Sequence, residues 1–377
     1  MGPRATVLIL AVVLCTSIFA STALAATFDP NLVISDDNMR AEDSFTAADI
    51  QAFLVSKNSV LASRSFPRHD KGKTAQASVI IYEAARAWHI NPQVLLVLLQ
   101  KEQSLITGSF TGTTLTYKLD WAVGMGVPDD RARDTRFKGF GNQLWYAANR
   151  LNGYGEDGVI VGKFKSSGQR YGPVNPVNIA TYKLYVYNPS IGATKPYPDS
   201  SLSGNAAGAL SGNASFWLIY WRWFGDPFAN PSLRPVYSFM VRSNGSYLYT
   251  VSPAEKYRLS RSPKSYSYKG AITSVNTSGG VNPVPVYKFL DRKTGVYTYT
   301  TSERTKRQRM AQPKKYSYRG VAFAASTNPI GRPVYRFVSK KNGADVLVVS
   351  RAGIRTYLST AYRKKYRNAG IAFYIVP

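Results

Sequence analysis

The C-terminal part of the chain repeats one pattern three times. Proline, valine, tyrosine, a variable residue and phenylalanine occupy residues 235–239, 285–289 and 333–337. The first pattern recurs after 50 and then 48 residues, and a fixed period of this size indicates a repeated supersecondary unit. The chain therefore has to pack three copies of one unit, whose approximate bounds are residues 234–283, 284–331 and 332–377.

Each unit alternates aromatic residues with threonine or valine, which is typical of half-buried β-strands. Each also contains one charged stretch that could form a short helix. These stretches are residues 255–259, 304–310 and 354–363. Three such units most economically close into a pseudo-threefold all-β structure. We therefore expect a β-trefoil-like domain, with an open stack of three blades as the alternative.

The first residues have the three parts of a secretory signal peptide. Arg4 precedes an apolar run over residues 7–14, and the small-residue triplet that ends at Ala25 offers a cleavage site. This run is too short to span a membrane. We therefore expect a signal peptide over residues 1–25 and a secreted mature chain without a transmembrane segment.

Cysteine and histidine are scarce in this chain. The only cysteine, Cys15, lies in the predicted signal peptide, and His69 and His89 are the only histidines. The mature chain therefore has no disulfide, and a histidine-rich metal site is not expected. We expect a protein that uses no metal and no cofactor.

Positive charge is concentrated in the repeated part. Residues 231–377 contain 27 Lys and Arg against 4 Asp and Glu, whereas the rest of the chain contains 21 against 17. This change predicts a boundary near residue 230. Such a basic, tyrosine-rich part could bind an anionic cell-wall polymer or nucleic acid, or its charges could simply be solvated. Export disfavours nucleic acid as the partner and favours anionic wall polymers.

Residues 26–229 are expected to form a mostly helical domain. Apolar residues at helical spacing predict helices near residues 46–54, 76–88, 92–102, 140–151 and 216–224. The third of these begins with Asn-Pro, a good helix start, and it carries Glu102 at the end of a leucine-rich face. A carboxylate there is partly shielded from water, which suits a general acid. The alternative is a helix that ends in a solvated glutamate.

The order of these elements resembles the lysozyme-like superfamily, and more closely a secreted actinobacterial group of lytic-transglycosylase-like proteins. The resemblance covers roughly residues 33–226. It rests on the helix that ends Gln-Lys-Glu-Gln-Ser at Ser104, the Gly-Met-Gly loop at 124–126 and the Tyr-Asn pair at 187–188. It implies a lysozyme-like fold with Glu102 as the catalytic acid.

The same resemblance implies residues that bind the glycan. Gly124 and Met125 would line the cleft, and Tyr185 or Tyr187 would position substrate. We add Gln103 and Asn142 to these substrate-binding candidates. The repeats resemble a secreted bacterial module, which implies a wall-binding or surface-binding role.

Cleavage of a glycosidic bond needs a proton for the leaving oxygen, which Glu102 would supply. A muramidase would also need a second carboxylate, whereas a lytic transglycosylase closes the ring with the sugar's own hydroxyl. The loop candidates for that second carboxylate are Asp120, Asp129, Asp130 and Asp134. We expect a secreted peptidoglycan glycan-strand-cleaving enzyme of one of these types, associated with the cell wall. The alternative is a non-catalytic cell-wall or glycan-binding protein or adhesin.

Overall fold

The computed structural model describes residues 28–70, 72–128, 132–153, 170–171, 173–192, 211–276 and 283–375. The predicted signal peptide lies outside them. The helices before residue 225 are α1 Asp36–Arg40, α2 Ala47–Ser56, α3 Ala77–Ala87, α4 Pro92–Gln103, α5 Gly112–Asp120, α6 Phe140–Gly153, α7 Ile179–Tyr187 and α8 Gly212–Phe224. Two short antiparallel pairs accompany them, β1 Ser65–Pro67 with β2 Thr74–Gln76 and β3 Arg170–Tyr171 with β4 Ser190–Gly192. None of the helices in these ranges has the length and apolarity needed to cross a membrane.

Helix α4 is the buried centre of this helical part. It begins where the sequence predicted, because the Asn91 side chain accepts the Gln93 N–H at 2.8 Å and Pro92 occupies the first turn. Residues 94–99 are all at most 1% exposed. The helix is thus apolar on every side, not only on the leucine-rich face, as expected for a helix enclosed by others. Gln93 in its first turn and residues 100–103 in its last turn are half-buried.

The sequence patterns did not predict three of the described helices, α1, α5 and α7. Helix α5 begins at Gly112, which has a positive φ of 57°. Leu115 is its single buried residue, so the sequence of this helix has little apolar periodicity. Helix α7 begins at Asn178, whose side chain accepts the Thr181 N–H at 3.1 Å. Residues 201–214 are rich in Gly, Ser, Asn and Ala, a composition typical of a loop. Residues 201–210 lie outside the described residues, and from Gly212 onward the segment belongs to α8.

Each repeat unit is a three-stranded antiparallel sheet with a helical segment between its second and third strands. Unit 1 contains β5 Leu233–Val241, β6 Tyr247–Thr250, α9 Pro253–Ser260 and β7 Tyr266–Asn276. Unit 2 contains β8 Pro283–Asp291, β9 Tyr297–Thr300, α10 Glu303–Met310 and β10 Tyr316–Ser326. Unit 3 contains β11 Arg332–Ser339, β12 Asp345–Val348, α11 Arg351–Leu358, α12 Thr360–Arg363 and β13 Tyr366–Ile375. Units 1 and 2 each contain the one short helix that the sequence predicted, whereas the corresponding stretch of unit 3 forms two helices, α11 and α12.

The strands do not form the β-trefoil-like domain that we expected. Their order is β6-β5-β7 in unit 1 and β12-β11-β13-β10-β8-β9 in a sheet shared by units 2 and 3. Across the described residues these sheets close into no barrel. In every unit the third strand pairs back onto the first strand of the same unit. Each unit is a three-stranded blade, as in the alternative, but the blades are not arranged as an open stack, since all three contribute to one core.

A ring of three hydrogen bonds joins the units. The Tyr249 N–H donates to the Tyr299 hydroxyl at 2.8 Å, which links unit 1 to unit 2. The Tyr299 N–H donates to Asp345 Oδ2 at 2.9 Å, and the Leu347 N–H donates to the Tyr249 hydroxyl at 3.0 Å. Unit 3 is thereby linked to both others. One apolar core, to which all three units contribute, lies around this ring, so the units close about a pseudo-threefold axis.

Unit 1 is also the unit that packs on the helical part. The Asp49 carboxylate of α2 accepts the Ala254 N–H at the start of α9 at 2.9 Å. The Phe53 and Tyr257 rings meet edge to face, with centroids 5.6 Å apart. The interface therefore combines a charge-assisted hydrogen bond with an aromatic cluster.

Removing the Tyr249 hydroxyl should destabilise the repeated module. In Tyr249→Phe the buried Leu347 N–H loses its acceptor, which costs about 1–3 kcal/mol in the free energy of unfolding. Chemical denaturation measures this loss. The control is Tyr268→Phe, at a ring that is 46% exposed, where we expect a change below about 0.5 kcal/mol. Equal effects of the two substitutions on the free energy of unfolding would contradict a role for the ring of hydrogen bonds in joining the units.

Candidate functional site

Glu102 lies where the buried helix α4 reaches the surface. Its side chain is 21% exposed, and the ammonium of Lys101, itself only 5% exposed at the side chain, forms an ion pair with Oε1. The chain leaves the helix through Ser104 in the left-handed conformation, with φ of 57°. The carboxylate is therefore held at the end of a rigid helix and is partly open to solvent.

Gly124 approaches the second oxygen of the same carboxylate. A Cβ atom added at Gly124 would lie 3.6 Å from Glu102 Oε2. Gly124 and Gly126 both have φ of 74°, a conformation that strains other residues. The loop thus places the Gly124 backbone, which carries no side chain, next to the Glu102 carboxylate. Two of the residues proposed from the sequence, Glu102 and Gly124, therefore lie together.

Gln143 holds this loop from inside the protein. Its side chain is fully buried, and its Oε1 accepts the N–H groups of Val123 at 3.2 Å and Met125 at 3.0 Å. Its Nε2 donates to the carbonyl oxygens of Met125 at 2.8 Å and Phe137 at 2.7 Å. All the hydrogen-bonding groups of the carboxamide are therefore in use. This fixes the backbone on both sides of Gly124.

The candidate predicted from the sequence is the neighbouring Asn142, whereas the residue that holds the loop is Gln143. Asn142 Nδ2 donates to the Lys138 carbonyl at 2.9 Å near the start of α6, on the exposed side. The sequence does mark Gln143 as a buried polar residue. Gln143 lies three residues after Phe140 and four before Ala147, on the apolar stripe of α6. A polar residue on such a stripe needs buried partners.

Of the two candidate tyrosines, Tyr187 reaches the loop. Its hydroxyl donates to the Val123 carbonyl oxygen at 2.6 Å. Tyr185 is 0% exposed and belongs to the core of the helical part. Helix α7, which the sequence analysis did not predict, therefore brings Tyr187 to the loop beside Glu102.

Lys118 contacts both the backbone and the side chain of Gln103, whose Oε1 lies 3.4 Å from Lys118 Nζ. Lys118 Nζ, from α5, donates to the Gln103 carbonyl oxygen at 3.2 Å and lies 4.3 Å from the centroid of the Phe110 ring. Two ammonium groups, those of Lys101 and Lys118, thus contact consecutive residues at the end of α4. The surroundings of Glu102 are positively charged.

The candidates for a second carboxylate differ in their surroundings. Asp120 Oδ2 lies 3.4 Å from Lys138 Nζ, in the wall of an open cavity of about 530 Å³. Asp134 caps a short 3₁₀ turn and pairs with Arg136, whose pKa is raised by the hydrogen bond to that carboxylate. Asp129 and Asp130 lie outside the described residues. Within the described ranges no group of three or more His, Cys, Asp or Glu could hold a metal ion.

Comparison with known families gives two matches. The model described as "LasA, N-terminal domain" matches residues 32–234, a range that contains Glu102, the Gly124 loop and α7. The model described as "Domain of unknown function (DUF5648)" matches residues 218–312 and again 285–377. No curated protein and no solved structure matches the chain.

Replacing Gln143 by leucine should loosen the loop. Gln143→Leu leaves two backbone N–H groups without acceptors and two carbonyls without that donor, so we expect a loss of at least about 2 kcal/mol in unfolding free energy. Hydrogen exchange should also accelerate at Val123 and Met125. The control Asn142→Ala removes one exposed bond and should cost less than about 1 kcal/mol. Unchanged exchange at Val123 and Met125 would contradict the role assigned to Gln143.

Proposed function

The chain belongs to the family described as "LasA, N-terminal domain" over residues 32–234, and we propose, from the geometry around Glu102, that it cleaves the glycan strands of peptidoglycan. The family name hints at a secreted, cell-wall-related protein. The finer proposal, an enzyme of the lytic transglycosylase or muramidase type with a lysozyme-like cleft, is supported by one observation. The Glu102 carboxylate lies against a glycine loop whose backbone is fixed by Gln143 and Tyr187.

In this mechanism Glu102 donates a proton to the leaving glycosidic oxygen. Oε2 is the oxygen that faces the loop, while Oε1 is held by Lys101. The missing side chain at Gly124 leaves no β-carbon on the loop side of Oε2, and in the proposed mechanism Met125 adds apolar contact with the sugar. Gln143 and Tyr187 act as positioning residues because they fix the loop and not the substrate.

The second step separates the two reaction types. A muramidase needs a further carboxylate as base or nucleophile. Asp120 and Asp134 each lie beside a cation, an arrangement that a structural role explains. A lytic transglycosylase needs no second acid, because Glu102 can act as base while the sugar's own hydroxyl closes the ring. We favour the transglycosylase route for this reason.

The repeated module would keep the enzyme at its substrate. Residues 231–377 carry a net charge of +23, which suits anionic polymers of the cell wall. We accordingly assign peptidoglycan and anionic wall polymers as partners and a secreted, wall-associated location. Nucleic acid is not assigned as a partner.

A non-catalytic wall-binding protein or adhesin is the second candidate. It is favoured by the Lys101 ammonium on Glu102 Oε1, because that contact occupies one of the two carboxylate oxygens. It is also favoured by Gln103, since lytic transglycosylases usually have serine after the acid. Such a protein would bind glycan strands at the same loop without cutting them.

Replacing Glu102 by glutamine should abolish cleavage and leave folding intact. Loss of the general acid should lower the rate by about 10²-fold or more. The measurement is mass spectrometry of fragments released from purified peptidoglycan. Anhydro-muramyl ends that disappear in Glu102→Gln are expected for a transglycosylase.

Asp120→Asn is the matched control for the reaction type. It should leave release unchanged if Glu102 works alone, whereas reducing ends that disappear in Asp120→Asn would identify a muramidase. No release by the wild-type protein from several kinds of wall would reject the enzyme in favour of the binding protein.

A further inference from the structure

The six turns at one end of the repeated module form a single basic surface, and we propose that this surface binds the phosphate groups of a linear anionic polymer of the cell wall. We name it the turn face. It consists of residues 242–245, 263–265, 292–295, 313–315, 340–343 and 363–365. The proposal rests on the wall association of the proposed function and deepens it by naming the surface that binds the polymer and the phosphate chemistry that it recognises. It does not depend on catalysis by Glu102.

The hairpin turns of the three units touch one another. Asn244 Nδ2, in unit 1, donates to the Thr294 carbonyl oxygen of unit 2 at 3.1 Å. Asn342 Nδ2, in unit 3, donates to the Asn244 carbonyl oxygen at 2.7 Å. The three turns therefore lie together at the same end of the pseudo-threefold axis.

In each unit a second turn, the one before the third strand, lies against the hairpin turn. The same backbone N–H to carbonyl bond joins them in all three units. These bonds run from Arg242 to Ser265 at 2.9 Å, from Arg292 to Lys315 at 2.8 Å and from Lys340 to Lys365 at 2.9 Å. The six turns are thus contiguous, although they come from widely separated parts of the sequence.

This surface is crowded with cations. Its exposed side chains include Arg242 and Lys264 in unit 1, Arg292, Lys293, Lys314 and Lys315 in unit 2, and Lys340, Lys341, Arg363, Lys364 and Lys365 in unit 3. None of the six ranges contains Asp or Glu. The adjoining Asp291 is used by its own turn, where its carboxylate accepts bonds from Lys293 and Thr294. Burial alone would raise the pKa of Asp291, but these bonds and the charge of Lys315 lower it.

The charges exceed what solvation of the module requires. Units 2 and 3, residues 284–377, hold 20 Lys and Arg against Asp291, Glu303 and Asp345. Glu303 contacts the Tyr287 hydroxyl and Lys306, and Asp345 is buried. Like charges concentrated on contiguous turns repel one another, and at physiological salt this repulsion is screened only beyond about 8 Å. A bound polyanion would relieve this repulsion.

The charge is unevenly divided among the units. Unit 1, which packs on α2 through Ala254 and Tyr257, contributes only Arg242 and Lys264 to the turn face. Its Ser243 and Ser265 stand where units 2 and 3 have lysine. The turn face is therefore most basic on the two units whose helices carry no such contact with α2.

The residue types favour a flexible phosphate polymer. Most of these cations are lysines, which bind phosphate as hydrated point charges without a fixed geometry. Arg242 and Arg292 each donate Nε to a proline carbonyl at 2.9 Å and so also hold the turns. Single-stranded nucleic acid is usually bound by aromatic rings interleaved with cations, and the six ranges contain no aromatic residue. A phosphodiester polymer of the wall fits this surface better.

Unit 1 supplies a substitution that the fold already accepts. The variant Lys293→Ser, Lys315→Ser, Lys341→Ser, Lys365→Ser copies Ser243 and Ser265 into units 2 and 3. The matched control removes four cations outside the six turns, as Arg304→Gln, Arg319→Gln, Arg332→Gln, Arg351→Gln. Thermal unfolding verifies that both variants fold.

Binding of the full-length mature chain to immobilised, purified poly(glycerol phosphate) is measured over a range of salt concentrations. We expect wild-type affinity to fall steeply with salt. We expect the serine variant to bind at least about tenfold more weakly with a shallower salt dependence, and the control to stay within about threefold of wild type. Equal weakening in both variants, or binding that ignores salt, would overturn the proposal.

Two further measurements separate this proposal from binding of nucleic acid and from catalysis by Glu102. Tighter wild-type binding to duplex DNA than to poly(glycerol phosphate), at equal phosphate concentration, would reject the wall polymer in favour of nucleic acid. Digestion of peptidoglycan stripped of anionic polymers should be the same for the serine variant and the wild type. A failure of Glu102 catalysis would appear in that assay without altering polymer binding, so the two proposals fail separately.

Discussion

The buried carboxamide of Gln143 is the interaction on which the candidate site depends. It bonds to the loop on both sides of Gly124, through Val123 and Met125. A buried amide with any of these bonds missing would be costly, so the loop conformation and the position of α6 are fixed together. Tyr187 adds a bond to the same segment from α7. The position of Gly124 beside Glu102 is therefore a consequence of interior hydrogen bonding.

The repeated module shows how nearly equivalent units acquire different roles. The ring through Tyr249, Tyr299 and Asp345 requires each unit to satisfy a buried backbone N–H of another unit. The core positions are thereby constrained to similar geometry. Outward-facing positions can differ between the units, because water can hydrogen-bond to the polar groups exposed there. Unit 1 uses its outer helix to pack on α2, while units 2 and 3 carry most of the lysines of the turn face.

The candidate site was partly predictable because some of its residues are marked by local sequence. Glu102 follows a leucine-rich helix, and Gly124 lies in a loop with two glycines, so both stand out. Gln143 was missed because its importance comes from partners about 20 residues away in the sequence, and Tyr185 could not be told from Tyr187 without knowing which side of α7 faces the core. The β-trefoil-like expectation failed for a related reason. The repeat period gives the number of units and their content, but not which strand pairs with which.

The sequence by itself determined the features that depend on short-range chemistry. These are the start of α4 at Asn91 and Pro92, the helix in each repeat, the three units and the concentration of charge after residue 230. Only the tertiary structure decided which distant groups meet, such as Glu102 with Gly124 and the six turns of the turn face. The physical reason is that helix starts and strand patterns depend on neighbours a few residues apart. Contacts between elements depend instead on how the whole chain satisfies its buried polar groups and packs its apolar ones.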